Sequence, residues 1–262
     1  MILYYGQRRS RYGRGRRATP LEMMIVGGIF FALIIGMLLD GAQRNKEREQ
    51  EKSYRERAYS ASRFDRKESA PENVAKVGGT YKFGRYKQVS DLVDEPIVWR
   101  VLDMKDKTAL VCSEVGLDRV LYNATPPFDR RWESSSIRKW LNGDFLKNAF
   151  YDYERDLIRD TVVKNSGGKD TTDKVFLLSA GEFAKYFGGR SPSAPSRYSV
   201  QRGTKEAASG RGKGNCWVWL RDCGATPGCF AFVEPTGEAN LDGRKGYDDD
   251  GSVRPAMWVE IE

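Results

Sequence analysis

The feature that most constrains this chain is an uncharged apolar run at residues 23–39, rich in Ile, Leu, Phe and Met. A helix on the surface of a soluble protein carries a polar stripe, and this run has none. At about 1.5 Å per residue the run covers about 26 Å as a helix, and Pro20 and Leu21 can extend it towards the thickness of a bilayer core. It therefore predicts a transmembrane helix, with the membrane lipid bilayer as a partner.

A cleaved secretory signal is the main alternative, because a basic flank followed by an apolar run also describes one. The run ends before Asp40, Gly41 and Ala42, which do not form a convincing small-x-small cleavage site. An uncleaved signal anchor is therefore the preferred interpretation.

The basic residues predict which side of the membrane each end occupies. Six arginines lie within residues 1–22, whereas four Lys or Arg follow within about 15 residues of the run's other end. This bias places a short basic tail, residues 1–22, in the cytoplasm and the rest of the chain outside. The residues after about 70 are close to neutral, so the pI of about 9.2 does not indicate a nucleic-acid partner.

The rest of the chain divides into two parts by composition. Residues 40–75 are mostly polar and charged, and both a solvated helical stalk and a disordered linker fit them. Residues 76–262 have the mixed composition of a globular domain long enough to bury one core.

The globular region contains segments typical of both strands and helices. Residues 97–102 and 108–112 predict a hairpin. Further strands are predicted at 175–178, 217–221, 230–233 and 254–261, and helices at 134–143, where Gly143 ends the helix, at 151–159, and from a capping box at Ser179 and Glu182 to Phe187. Residues 188–214 read as a long loop. The expected fold class is α+β and loop-rich.

Conspicuous aromatic and basic side chains have structural interpretations. Most of the tryptophans at 99, 140, 217, 219 and 258 fall where core aromatics are expected. Arg221 and Arg254 lie beside turns, where hydrogen bonds to carbonyls or acids hold loops in place.

Several segments resemble, in order, a bacterial domain family of unknown function. They are residues 96–102, 132–142, 171–179, 217–221 and 253–259. That family is similar to the C-type-lectin-like fold, which formylglycine-generating enzymes and bacterial surface display domains share. The resemblance implies a compact C-type-lectin-like domain that is often exported or tethered, with one N-terminal transmembrane helix here. It implies no activity, because the fold hosts binding modules and oxidases alike.

The absence of histidine excludes much chemistry. No Ser-His-Asp or Cys-His nucleophile system and no imidazole-dependent acid or base can be built. Formylglycine-generating enzymes hold copper(I) with two cysteines, but the nearest pair here, Cys216 and Cys223, is more widely spaced. A four-cysteine zinc site lacks a CxxC pair. No catalytic residue and no required cofactor are predicted.

The start of the chain also resembles a type IV pilin. In that family a Glu stands fifth in the mature hydrophobic helix, and Glu22 would take this place if the mature chain began at Ala18. Arg17 stands where the family has Gly, so the resemblance breaks at the processing site.

A polar, turn-rich segment between two predicted strands, residues 234–251, is the candidate ligand-binding loop. Its oxygen-bearing side chains are Asn240, Asp242, Asp248, Asp249 and Asp250. Three successive carboxylates repel one another unless solvent, a cation or a basic partner relieves them. The most specific form of this prediction is a calcium-binding site, and the alternative is a solvated hairpin loop without a ligand. In lectin-like folds such a loop often forms the binding face, which the resemblance implies.

The two cysteines at the mouth of the preceding hairpin, Cys223 and Cys229, are disulfide candidates. They flank a turn-forming stretch at 224–228, and an oxidising compartment would favour a bridge between them. Four cysteines allow three full pairings, and the sequence does not choose among them.

Together these features predict a membrane-anchored extracytoplasmic binding or display module with an unknown protein or glycan ligand. Two alternatives stay open. One is a pilin-like or envelope structural subunit assembled through the hydrophobic helix, and the other is a sensor domain that faces the cytoplasm.

Overall fold

A computed structural model describes residues 74–166 and 168–261 of the chain. The predicted basic tail at 1–22, the predicted membrane helix at 23–39 and nearly all of the predicted stalk at 40–75 lie outside the described residues. Within the described ranges, no helix is both long and apolar enough to cross a membrane.

The described residues form a mixed structure, mostly sheet, in which the sheet curls into a half-barrel accompanied by few helices. The strands are β1 (Thr80–Lys87), β2 (Asp94–Lys105), β3 (Thr108–Ser113), β4 (Thr161–Val163), β5 (Thr171–Asp173), β6 (Val218–Cys223), β7 (Cys229–Val233), β8 (Ala239–Lys245) and β9 (Ala256–Glu260). They pair antiparallel as β1-β2-β3-β9, β6-β7-β8 and β4-β5. The mixed class expected from the sequence is confirmed.

The helices are short. They are α1 (Ser136–Trp140), a π-helical turn (Leu141–Phe145), α2 (Leu146–Ala149), α3 (Asp152–Leu157), α4 (Ala180–Phe187) and α5 (Arg197–Gln201), with 3-10 turns at Trp132–Ser134 and Gly210–Gly212. The capping box predicted for α4 is present: Glu182 N donates to Ser179 Oγ at 3.1 Å, and Ser179 N donates to Glu182 Oε2 at 2.7 Å. Two backbone donors at the start of α4 are thereby satisfied.

The hairpin of β2 and β3 forms where its alternating pattern predicts it. Ile97, Trp99 and Val101 alternate along β2 and are all buried, because successive side chains of a strand point to opposite faces. The indole N–H of Trp99 donates to Phe83 O at 2.7 Å, which satisfies its one polar group inside the core.

Four sequence predictions are wrong in detail. Gly143 does not end the first helix; it lies in the π-helical turn, and the helical chain continues through α2 because Phe145 and Ala149 beyond it are buried in the same core. Residues 175–178 are buried but form only an isolated bridge at Phe176, since the amides at 174 and 175 donate to the side chain of Asn142 instead. The predicted loop at 188–214 contains helix α5, and the predicted loop at 234–251 contains strand β8.

One cluster of aromatic and aliphatic side chains forms the core. The tryptophan prediction is confirmed for Trp99, Trp217 and Trp219, which are 0 to 4% exposed, while Trp140 and Trp258 are partly buried against the same cluster. The other largest fully buried aromatics are Trp132, Tyr122, Phe145, Phe183 and Phe230.

A buried carboxylate joins the first helical segment to the β4–β5 hairpin. The side chain of Asp173 is inaccessible to solvent; it accepts hydrogen bonds from Trp132 Nε1 at 2.9 Å and from Thr171 Oγ1 at 2.7 Å, and forms an ion pair with Arg138 Nε at 2.7 Å. Trp132 lies in a 3-10 turn, Arg138 in α1 and Thr171 at the start of β5. The Asp173 side chain therefore fixes the relative positions of these three segments.

We expect Asp173→Ala to lower the free energy of unfolding by about 3 kcal/mol, because removing one member of a buried ion pair leaves the other without its partner. Urea denaturation of the purified chain measures the change. Asp160→Ala, at an exposed carboxylate, is the control. A loss at Asp173 no larger than that of the control would contradict this role.

Candidate functional site

The structure divides the predicted ligand residues between two elements. Asn240 and Asp242 lie in β8, whereas Asp248, Asp249 and Asp250 lie in the turn that follows it. We call residues 248–250 the acidic turn. Asn240 Oδ1 accepts hydrogen bonds from two amides of its own strand, and the Asp242 side chain is exposed. Asn240 and Asp242 are therefore separated from the acidic turn, because they belong to strand β8, which the sequence did not predict.

Asp250 is held by three partners. It accepts a hydrogen bond from Trp217 Nε1 at 2.9 Å, and its carboxylate lies 3.6 Å from Arg244 Nη1 and 3.5 Å from Lys205 Nζ. Partial burial raises the pKa of Asp250, but the hydrogen bond from Trp217 and the two positive charges outweigh it and leave the pKa below its usual value. Asp250 is therefore ionised and engaged within the protein.

The other two carboxylates of the acidic turn also have basic partners. Asp248 lies 3.6 Å from Arg244, and Asp249 forms an ion pair with Arg119, which also donates to the Asp249 carbonyl. Basic side chains of the protein thus relieve the repulsion among the three carboxylates of the acidic turn.

No group of three or more His, Cys, Asp or Glu able to hold a metal occurs in the described part of the chain. The calcium site stays a prediction.

All four cysteines carry free thiols in the structure. Cys223 is exposed, whereas Cys112, Cys216 and Cys229 are buried. Cys223 ends β6 and Cys229 begins β7, and Gly224 N donates to Cys229 O at 2.8 Å across the mouth of the hairpin. A disulfide between Cys223 and Cys229 stays a prediction.

Desolvation makes the thiols of Cys216 and Cys223 poor nucleophiles. Desolvation raises the pKa of Cys216 to about 12, and it raises the pKa of Cys223 although the nearby Arg131 lowers it in part. Since the thiolate is the form that attacks substrates and binds soft metals, neither residue is activated at neutral pH.

A small cleft opens beside Cys223, and sequence reasoning did not find it. Three segments form it: residues 131–133, the turn between β4 and β5, and the end of β6 from Arg221 to Cys223. We call it the Arg221 cleft. Its cavity volume is about 10 Å³, about the least that holds one water molecule and far below the range of about 300 to 1,000 Å³ typical of small-molecule sites. The cleft therefore has room for about one ordered water molecule.

Three residues of the Arg221 cleft each carry a buried polar atom without a hydrogen-bond partner among the described residues. They are Glu133 Oε2, Asn165 Oδ1 and Arg221 Nε. Leaving a buried polar atom unsatisfied costs about 1 to 3 kcal/mol, so three such atoms in one cleft are unusual. Two of them accept and one donates, which gives the cleft a definite hydrogen-bonding pattern.

Arg221 makes the hydrogen bonds to carbonyls and to an acid that the sequence predicted for it. Its guanidinium donates to the carbonyls of Leu177 and Lys164 and to Glu182 Oε2 at 3.0 Å. The second predicted loop-holding arginine, Arg254, donates to Ser113 O at 2.8 Å and to Ser191 Oγ at 3.0 Å. Both predictions are confirmed.

The acceptors of the cleft were missed because Glu133 and Asn165 lie far apart in the chain and match no motif. One signal was present in the sequence. Arg221 stands within a strongly apolar strand, and a guanidinium there requires several acceptors from elsewhere.

We expect Asp250→Asn to lower the free energy of unfolding at pH 7 by about 0.5 to 1 kcal/mol, because it removes the attraction to Arg244 and Lys205. The folded-state pKa of Asp250 lies below its unfolded value, so this stabilisation is present above the unfolded pKa and disappears as the pH falls through the folded one. Thermal unfolding of both proteins from pH 7 to pH 2.5 should converge at the acid end. Asp242→Asn is the matched control, and a gap that persists unchanged at low pH would contradict the assignment.

Comparison with known proteins identifies a family over the greater part of the chain. A domain of unknown function (DUF6273) matches residues 106–261. Neither the curated proteins nor the solved structures compared with the chain gave a match. The matched residues include the Arg221 cleft and the acidic turn and leave out β1 and β2. The expectation of a domain family of unknown function is thus confirmed, and the chain belongs to the DUF6273 family.

Proposed function

We propose that this chain is a membrane-anchored binding module whose domain at residues 76–262 lies outside the cytoplasmic membrane and captures a protein or glycan ligand. The apolar run at 23–39 and the uneven basic flanks support the anchor and its orientation. The mixed, loop-rich architecture and the resemblance in sequence support a C-type-lectin-like fold.

One observation carries the binding function: Glu133, Asn165 and Arg221 line one cleft, and each has a buried polar atom with no partner in the part of the chain that the structure describes. A protein selected for stability alone pairs such atoms or replaces them with apolar groups. Atoms kept unpaired at a stability cost are available to a ligand that supplies the missing partners. The acidic turn is the weaker candidate, because its carboxylates are already matched by Arg119, Lys205 and Arg244.

Two other functions compete with this one. A pilin-like or envelope subunit requires the hydrophobic helix to assemble with copies of itself, and processing before Ala18 would appear in the mass of the intact protein. A sensor domain requires residues 76–262 to face the cytoplasm. The side of the membrane therefore separates the sensor from the proposed module.

We expect Glu133→Met to raise the free energy of unfolding by about 1 kcal/mol, because it removes a buried oxygen that has no partner and keeps the aliphatic stem. Glu182→Met is the matched control. The Glu182 carboxylate accepts hydrogen bonds from Ser179 and Arg221, so its loss should destabilise the protein. Equal destabilisation by both substitutions would show that Glu133 has only a structural role. Chemical denaturation of the purified variants measures both.

The exposed thiol of Cys223 provides a natural reporter of topology. We expect a membrane-impermeant maleimide to label intact cells at Cys223, because the other three cysteines are buried. Labelling at pH 8 compensates for the raised pKa of this thiol. Cys223→Ser is the control for specificity.

The same experiment tests the predicted disulfide between Cys223 and Cys229. If Cys223 and Cys229 are bridged, labelling requires prior treatment with a membrane-impermeant reductant, and labelling without reductant contradicts the bridge. Labelling that appears only after the cells are lysed would place the domain in the cytoplasm and favour the sensor.

A further inference from the structure

The turn between β1 and β2, residues 88–93, carries a patch of exposed aliphatic side chains, and we call it the apolar tip. Val89, Leu92 and Val93 are 42%, 87% and 55% exposed, and Leu92 is the most exposed large apolar side chain among the described residues. Single exposed apolar residues are ordinary on a protein surface. Three that share one short turn require a physical reason.

Hydrogen bonds hold the backbone of the apolar tip in place. At its base Gln88 Nε2 donates across the hairpin to Pro96 O at 2.9 Å, and Tyr198 N on α5 donates to Gln88 O at 2.9 Å. Within the tip, Leu92 N donates to Ser90 Oγ at 3.3 Å. The exposure of the aliphatic side chains is therefore part of the fold, because the turn that carries them is tied to β2 and to α5.

The charges around the apolar tip nearly cancel. Strand β1 brings Arg85 and Lys87 to its base. Strand β2 brings Asp94 and Glu95 to the same end of the hairpin, with Asp94 directly opposite Lys87. Asp91 is the one charged residue within the tip itself. The tip therefore has no strong charge of one sign to attract a charged partner, and apolar contact is the main interaction that it offers.

The size of the patch favours a bilayer over a second protein surface. A stable protein–protein interface takes about 800 Å² from each partner. Three aliphatic side chains with charged neighbours supply only a fraction of that area. A membrane contact needs less, because a chain that is already anchored in the bilayer meets it at a high effective concentration.

The proposed anchor also keeps the bilayer within reach of the apolar tip. Residues 40–73 separate the apolar run at 23–39 from Val74, where the described chain begins. The two forms predicted for them would reach about 50 Å as a helical stalk and about 30 Å on average as a disordered linker. The tip lies at the far end of β1 from the point where the chain enters the domain, about 26 Å along the strand. Either form is long enough for the tip to meet the membrane.

Resting on the membrane anchor proposed above, we propose that the apolar tip inserts Val89, Leu92 and Val93 into the surface of the bilayer that holds the chain. The contact joins aliphatic side chains to lipid, so it requires no anionic lipid and does not weaken as salt is added. It gives the domain a second point of attachment besides its tether. The domain then has a fixed orientation, with the tip end of β1 and β2 towards the membrane.

A fluorescent probe at position 92 tests the contact. The full-length chain with Leu92→Cys and Cys223→Ser is labelled with nitrobenzoxadiazole and reconstituted in phosphatidylcholine vesicles. Cys223→Ser removes the exposed native thiol, and the other three cysteines are buried. We expect lipids that carry a spin label near the headgroup to lower the emission about twofold, because an inserted apolar group lies close to that depth. Iodide dissolved in the water should quench the probe only weakly.

A probe at Val162→Cys, again with Cys223→Ser, is the matched control. Val162 is 62% exposed and lies in β4. The residues just before β4 lie beyond β9, since Ile158 forms a bridge with Val259, and β9 is the opposite edge of its sheet from β1. The probe at 162 should therefore be quenched by iodide and not by the spin-labelled lipids.

A charge in the apolar tip should release it from the membrane. With the probe at Val89→Cys, adding Leu92→Asp should abolish quenching by the lipids, because a carboxylate is costly to move out of water. Leu92 is 87% exposed, so this substitution leaves the core intact. Val162→Asp, with the same probe at position 89, should leave the quenching unchanged, and equal losses in both variants would contradict insertion of Leu92.

Three results of the quenching experiment overturn the proposal. A probe at position 92 that iodide quenches freely and spin-labelled lipids do not quench places the apolar tip in water. A probe that is protected from iodide but not quenched by the lipids places the tip against protein, such as a second copy of the chain. Equal quenching by the lipids at positions 92 and 162 shows that the domain has no fixed orientation on the bilayer.

Failure of the anchor appears separately from failure of the tip. A chain that an alkaline wash removes from the vesicles lacks the membrane helix, which refutes the anchor and the proposal that rests on it. A chain that stays in the vesicles while the probe at position 92 stays in water refutes the tip contact alone. Labelling of Cys223 only after cells are lysed reverses the side of the membrane and leaves the tip contact untouched, because both leaflets offer lipid.

Discussion

The buried guanidinium of Arg221 is the interaction on which the rest of the cleft depends. Taking this charge out of water costs several kcal/mol, and the cost is offset by the carbonyls of Leu177 and Lys164 and the carboxylate of Glu182. These acceptors belong to the approach to α4, the β4–β5 turn and the α4 capping box. One side chain therefore ties β6 to two other segments, and the backbone carbonyl of Arg221 adds a third by accepting from Tyr122 at 2.7 Å.

The buried and half-buried charges of this protein differ in how completely their polar atoms are paired. Asp173 has every oxygen matched, by Trp132, Thr171 and Arg138, and the acidic turn is balanced by basic side chains. These groups organise the fold, because a fully paired charge makes a strong and directional contact. In the Arg221 cleft, by contrast, one donor and two acceptors have no hydrogen-bond partner among the described residues. The acidic turn and the Arg221 cleft therefore differ in how far the protein itself supplies partners for their polar groups.

Local patterns in the chain predicted the elements that local physics controls. The β2–β3 hairpin follows from alternating apolar residues on either side of a short turn, and α4 follows from the reciprocal cap of Ser179 and Glu182. Strand β8 escaped prediction because its residues are polar and turn-forming, and it exists because β7 supplies hydrogen bonds along its length. Gly143 failed as a helix end because the core beyond it provides contacts that outweigh the low helix propensity of glycine.

The sequence by itself excluded imidazole chemistry through its lack of histidine, and it determined the mixed fold class, the burial of Trp99, Trp217 and Trp219, and the need of Arg221 for several acceptors. Membership of a domain family of unknown function followed from the order of short segments along the chain. Only the tertiary structure decided that Glu133, Asn165 and Arg221 share one cleft and that the acidic turn is matched by basic side chains. The reason is that a local sequence pattern indicates which hydrogen-bond partners a side chain requires. Contacts between segments distant in the chain decide which partners it has.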